Sequence, residues 1–249
     1  MQGWKLFKHA FGMVMRNWRE ALRIFLVPAL LGIVALGLIV RLMFAILPQS
    51  TSEDFPEAAA ILGFLGMFVV SATLATWCVV AWHRFVILEE MPQGWLPTFN
   101  GGQILAYWGQ ILKLSLVGLV VGAPAVFVVT MLLRTAPIPG IVLGIAAYIF
   151  AVLAFMRLST TLPAAAIGKP ATLGEAFAAT AGSWGSLLLL LLVLVGCQVA
   201  TQSAVFTLGA ITPILGVPVS IATTVFLSLL NVSILTTLYG HYIEGRSID

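Results

Sequence analysis

The sequence predicts an all-α polytopic membrane protein, with six transmembrane helices in three parallel helix-pair repeats and interfacial amphipathic helices along one side. Three observations carry that prediction. Of 249 residues, 61% are hydrophobic and only 8% are charged, against about 25% charged in a soluble domain. The apolar residues gather into six continuous runs close to the roughly 20 helical residues that a bilayer core of about 30 Å requires. The basic residues collect in alternate connections between those runs. A water-soluble globule could not cover its surface with so few charges, and a disordered chain would lack the apolar excess. Continuous runs indicate helices, because barrel strands alternate in segments of about ten residues.

Residues 1–23 form the first element. Trp4, Phe7, Phe11, Val14, Met15, Trp18 and Leu22 recur at steps of three and four, and Lys5, Lys8, Arg16, Arg19 and Arg23 fall largely between them. This is the pattern of a cytoplasmic amphipathic helix with an aromatic edge in the acyl boundary and cations among anionic headgroups. Packing of the same stripe on the protein's own helices is the alternative. The spans follow at approximately 24–47, 58–82, 111–133, 138–156, 185–207 and 217–239, all within a single integral-membrane domain, 1–249. The first run is longer than the roughly 7 to 15 apolar residues of a signal peptide and ends in Ile46-Leu47-Pro48-Gln49, so it is expected to stay in the membrane.

Charge assigns the sides. Lys5, Lys8, Arg16, Arg19 and Arg23 precede span one, Arg84 follows span two, Arg157 and Lys169 follow span four, and Arg246 follows span six. The opposite connections carry Glu53, Asp54 and Glu57 in the first, Arg134 alone in the second and no charge in the third. The positive-inside rule then places both termini in the cytoplasm. Lys113 and Arg41, near span ends, can snorkel to the headgroups.

The opening pattern recurs. His9-Ala10-Phe11 followed by Asn17-Trp18 aligns with Glu175-Ala176-Phe177 followed by Ser183-Trp184, with a weaker copy at Phe99 and Tyr107-Trp108. The repeating unit would be a cytoplasmic amphipathic segment, a span out, a short turn and a span back. Because every copy enters from the same side, the repeats are parallel, unlike the inverted repeats of many carriers. The connections 83–110 and 157–184 are broken by Pro and Gly and end in helical patterns. Connections of that length commonly carry a function, and no separate soluble domain is expected.

The order Ala10-Phe11 and Asn17-Trp18, then Trp82-His83-Arg84-Phe85 with Glu89, then Arg157-Leu158-Ser159 with Leu162-Pro163, then Tyr239-Gly240-His241 with Glu244-Gly245-Arg246 resembles a family of uncharacterised six-helix inner-membrane proteins of alphaproteobacterial type. More remotely it is similar to the YciC-like proteins and to the membrane domain of glycerophosphodiester phosphodiesterases. The resemblance implies a location and an architecture. Those phosphodiesterases do their chemistry in a soluble domain that has no counterpart here, so no catalytic residue carries over.

Catalytic patterns are sparse. His9, His83 and His241 are far apart, whereas a zinc site needs three protein ligands together. No Gly-x-Ser-x-Gly elbow is present. Glu89-Glu90 resembles the double glutamate of prenyl-endopeptidase-like membrane proteins, but no arginine follows at the expected offset and Pro92 interrupts the helix. A haem or chlorophyll ligand at His83 would rest on one histidine at a span end. Cys78 and Cys197 sit inside apolar runs and form no paired motif. No catalytic residue, metal or cofactor is therefore expected, and the scattered cations argue against nucleic acid.

Two groups remain as candidate sites. His83, Arg84, Glu89, Arg157, His241, Glu244 and Arg246 lie at cytoplasmic span ends, where arginine can grip a phosphate or simply belong to an interfacial belt beside Trp77, Trp82, Tyr239 and Tyr242. Gln198, Thr201 and Gln202 in span five, with Ser220, Thr224, Ser228 and Asn231 in span six, form polar stripes at helical spacing. These could bond between helices or line a solute path. No acidic residue lies at mid-membrane, which argues against an ion-coupled pump. Gly118-x-x-x-Gly122 and Gly140-x-x-x-Gly144 permit close helix packing. The expected function is to organise or assist membrane lipids or other membrane proteins through cytoplasmic interfacial segments, without catalysis. The alternative is a small permease for a neutral or lipid-like solute along the polar face of spans five and six.

Overall fold

A computed structural model describes residues 2–46 and 57–248. The chain runs through α1 (Gln2–Arg16), α2 (Trp18–Ile46), α3 (Glu57–Leu88), α4 (Gly101–Thr135), α5 (Pro137–Leu158), α6 (Thr161–Ala166), α7 (Leu173–Ala179), α8 (Trp184–Ile211) and α9 (Pro213–Tyr242), with no strand among the described residues. Six stretches are long and apolar enough to cross a membrane: Trp18–Phe44, Ile61–Leu88, Gly101–Thr135, Pro137–Ala166, Trp184–Ile211 and Ile214–Tyr242. This is an all-α polytopic membrane protein. The acidic connection carrying Glu53 and Asp54 lies outside the described residues.

The element boundaries depart from the sequence reading at three places. The first helix ends at Arg16, and Trp18, Arg19, Leu22 and Arg23 belong to α2. The segment before span three has no break, since Gly101 to Gln110 is the first part of α4. Connection 157–184 holds, besides α7 where a helical pattern is expected, the short helix α6, all six of whose residues are buried.

The chain packs as two compact units, Asn17–Leu105 and Met1–Arg16 with Ala106–Asp249. In the first, α2 and α3 pair. Ile24, Cys78, Val80, Trp82 and His83 are buried, the Cys78 thiol lies 3.7 Å from the Ile24 carbonyl, and Phe25 meets the Trp82 ring at 6.3 Å. The segment after α3 is tied to that helix by Trp77, whose indole N–H donates to the Thr98 carbonyl at 3.2 Å and whose ring meets Phe99 edge-on.

In the second unit the core lies where α5 finishes, α8 starts and α9 finishes, its terminal end. Leu6, Phe7 and Ala10 of α1 join Leu153 and Met156 of α5, Leu187 and Leu190 of α8, and Leu230, Ile234 and Leu238 of α9. Burial there follows from the hydrophobic effect and close packing. Towards the other end the helices expose large apolar side chains such as Phe206, Ile211 and Ile214, as lipid-facing helices do.

The two hairpins of this unit turn in the same way. Ala136 and Thr212 each stand alone between helices, at φ −145°, ψ 83° and φ −139°, ψ 83°, and each is followed by a proline at the first helical position, which needs no N–H there. The Ala136 and Thr212 N–H groups each donate 2.7 Å to the carbonyl four residues back. Four residues on, Gly140 and Gly216 pack so closely that a methyl group would come within 2.8 Å of the Leu133 backbone or 2.9 Å of the Gly209 Cα. Leu133 and Gly209 each lie three residues before the turn, so the two hairpins match position for position over Ala136-Pro137-Ile138-Pro139-Gly140 and Thr212-Pro213-Ile214-Leu215-Gly216.

Candidate functional site

Helix α1 has three sectors. At about 100° per residue, Gly3, Leu6, Phe7, Ala10, Met13 and Val14 share one side, and all are buried against α8 and α9. The contact is closest at Gly3, where a methyl group would overlap the Ser186 carbonyl of α8. Beside it lies an exposed apolar sector of Trp4, Phe11 and Met15, and beyond that an exposed basic sector of Lys5, Lys8 and Arg16. Packing on the protein's own helices accounts for part of the apolar stripe and reaches the edge of the exposed sector, where Phe11 meets Phe226 of α9 edge-on, while Trp4 and Met15 remain exposed.

The start of α1 is fixed to the chain's last turn by a run of hydrogen bonds. The Ser186 hydroxyl donates to the Gln2 side-chain oxygen at 3.2 Å, the Gln2 amide lies 2.6 Å from His241 Nε2, and His241 Nδ1 lies 3.1 Å from the Arg246 carbonyl. Both His241 contacts are met when Nδ1 carries the proton and Nε2 accepts from Gln2. Glu244 pairs with the Arg246 guanidinium at 2.7 Å. His241, Glu244 and Arg246 thus come together as a clasp over the terminal end.

Arg157 sits apart from that cluster and is 3% exposed. Its Nε donates to Thr180 Oγ1 at 2.9 Å and an η nitrogen donates to the Phe177 carbonyl. Its guanidinium lies 3.6 Å from the Phe177 ring centre and 4.7 Å from that of Trp184. Helix α7 is held in place by this residue. Its own start is closed by a capping box, in which Thr172 accepts from the Glu175 N–H and the Glu175 carboxylate accepts from the Thr172 N–H. That backbone hydrogen bond holds the Glu175 carboxyl below its ordinary range, and the Thr172 hydroxyl adds to the effect.

In the first unit, Arg84 pairs with Glu90 at 2.6 Å, while Glu89 is exposed and stands at φ 56° directly after α3. His83 is fully buried within α3. The sequence group thus separates into an ion pair, a helix-end residue and a core histidine.

The polar stripe is exposed along Gln198, Gln202, Thr224, Ser228 and Asn231, with Thr201 half-buried. Thr201 bonds its own helix at the Cys197 carbonyl, 2.6 Å away, and the Asn231 amide nitrogen bonds the Leu227 carbonyl at 2.9 Å. Among these six residues no hydrogen bond crosses from α8 to α9. Gln198 and Asn231 line a groove between α5, α8 and α9 of about 410 Å³ whose other walls are almost wholly apolar.

No protein-family model, curated protein or solved structure matches this chain. The geometry alone therefore has to carry any functional reading. It offers a docked helix with an uncovered aromatic and basic side, and an apolar groove with two amides.

Several residues of these arrangements were missed in the sequence. Glu90 takes Arg84 in place of its neighbour Glu89. Phe177, Thr180 and Trp184 enclose Arg157, and Gln2 reaches His241 across almost the whole chain. Trp184 and Phe177 were visible as repeat markers, and a cation before aromatics was the only signal that could have joined them.

Proposed function

We propose that this protein is a non-enzymatic inner-membrane protein that organises anionic lipid, or membrane-protein partners held through such lipid, at the cytoplasmic leaflet by means of α1. The observation that carries the reading is the three-sector α1: one side is fixed to the protein, the second is aromatic and exposed, and the third is basic. A helix held in that way sits in an interface with Trp4 and Phe11 at the acyl boundary and Lys5, Lys8 and Arg16 among phosphates, each cation contributing about 1 kcal/mol near an anionic surface. Membership of the six-helix inner-membrane family suggested by the sequence fits the same reading.

The test reverses the charges and keeps the docked side. Deleting the helix would strip Leu6, Phe7 and Ala10 from the core, so Lys5→Glu, Lys8→Glu and Arg16→Glu are combined instead. Native mass spectrometry of protein extracted from equal phosphatidylglycerol and phosphatidylcholine should show phosphatidylglycerol retained by the wild type and reduced about tenfold or more in the variant. Equal retention by both proteins would reject the reading.

A second reading is a small permease for a neutral or lipid-like solute along α8 and α9, favoured by the exposure of Gln198 and Gln202 at membrane depth. Under it, Gln198→Leu with Gln202→Leu abolishes solute flux and leaves phosphatidylglycerol retention unchanged.

A further inference from the structure

The groove of the second unit opens sideways at membrane depth. Leu230 and Leu238 in its floor are buried, whereas Phe155 and Val195 at its rim are exposed. Its volume of about 410 Å³ lies within the roughly 300–1,000 Å³ of small-molecule sites. Along α9 it extends from Leu227 to Leu238, which at 1.5 Å per residue is about 16 Å, half of a bilayer core of about 30 Å. It is therefore one leaflet long, and no charged side chain lines it.

Its polar groups are few and unequally satisfied. Ser159, at the terminal end, donates to the Met156 carbonyl at 3.0 Å. Deeper in, Asn231 uses its amide nitrogen on the Leu227 carbonyl, and its amide oxygen meets no donor among the described residues. The Gln198 carboxamide makes no hydrogen bond among the described residues. Unpaired amides are strongly disfavoured where no water can reach them.

We propose that the groove holds one uncharged lipid chain bearing a hydroxyl group deep along its length, which accepts from the Gln198 amide and donates to the Asn231 amide oxygen. A plain saturated chain would fill the walls and leave both amides unmatched. A phosphate or carboxylate would find no cation there. A solute polar throughout would face leucine, isoleucine and valine along the whole length.

The test uses two phosphatidylcholines that differ only in one hydroxyl near the middle of a stearoyl chain. The full-length protein is given both in equal amounts, and bound lipid is counted by native mass spectrometry. A hydrogen bond between groups at membrane depth averages about 0.6 kcal/mol, or about threefold, so the wild type should retain the hydroxylated lipid about threefold to tenfold over the plain one. Gln198→Leu with Asn231→Leu should retain both equally. Equal retention by the wild type, or a preference that survives the double substitution, overturns the proposal. A wild type that travels as a dimer carrying neither lipid, with a monomeric double variant, assigns the amides to a second copy and also overturns it. Should the double variant fail to fold, the wild-type comparison and Gln198→Leu alone still decide.

Discussion

Arg157 meets no carboxylate among the described residues; a threonine hydroxyl, a carbonyl oxygen and two aromatic faces surround it. A planar guanidinium can stack and donate at once, which an ammonium cannot. Arg157→Lys should therefore lower stability by about 2–3 kcal/mol, read as a fall in the temperature of aggregation in detergent. A lysine variant as stable as the wild type would mean that the stacking contributes nothing. Glu89 gives the opposite expectation. A non-glycine residue at φ 56° carries a steric cost of about 1–2 kcal/mol that glycine avoids, so Glu89→Gly should stabilise by up to about 1 kcal/mol without changing lipid retention. Glu175 supplies a pH effect. Its folded carboxyl titrates below its unfolded value, so the stability it lends to α7 is present above the unfolded pKa and is lost as pH falls through the folded one. Protection of the Thr172 and Glu175 amides, read as exchange relative to the intrinsic rate at each pH, should fall across that acidic window, and Thr172→Ala, which costs about 1 kcal/mol at a cap, should remove the smaller, hydroxyl share of the effect and leave the share held by the backbone N–H.

At the scale of the element, the docking of α1 depends on Gly3. Gly3→Leu should lift the first turn from α8, seen as faster exchange of the Leu6 and Phe7 amides, while Gly12→Leu, at a half-buried position where only the flexible Arg16 side chain has to give way, should not. The hairpins make a matching demand, and Gly216→Leu should splay α8 from α9 at the turn. The spanning helices were legible in the sequence because apolar runs of bilayer length have few other uses. Helix α6 was not, since Thr161-Leu162-Pro163 reads as a break and its burial depends on α9, some seventy residues later. The α1 stripe was legible, but the division into a protein side and an uncovered side was not: Phe7 and Phe11 look alike in sequence and differ only in what faces them. The amides of the groove were recognised as a stripe, yet the absence among the described residues of any hydrogen bond from Gln198 or Asn231 to the facing helix was invisible until the helices were placed. The aromatic markers near the basic connections suggest a threefold repeat in the sequence, while the likeness of the two turns at Ala136 and Thr212, at the other end of the helices, was not legible there.

For the whole molecule, sidedness is the main expectation to check. With Cys78→Ser and Cys197→Ser as background, a single cysteine at Ser247 should react with a membrane-impermeant maleimide only from the cytoplasmic side, and one at Thr212 only from the opposite side. Labelling of both from one side would reject the assignment drawn from the cations. The second unit also divides its labour by depth, since buried packing gathers at its terminal end and the other ends of its helices expose apolar side chains. The one-residue turns at Ala136 and Thr212 have a consequence for how the chain enters the bilayer. A single residue leaves no slack for one helix to insert and wait for the next. Helices α4 and α5, and likewise α8 and α9, must leave the insertion machinery as closed hairpins, two helices at a time.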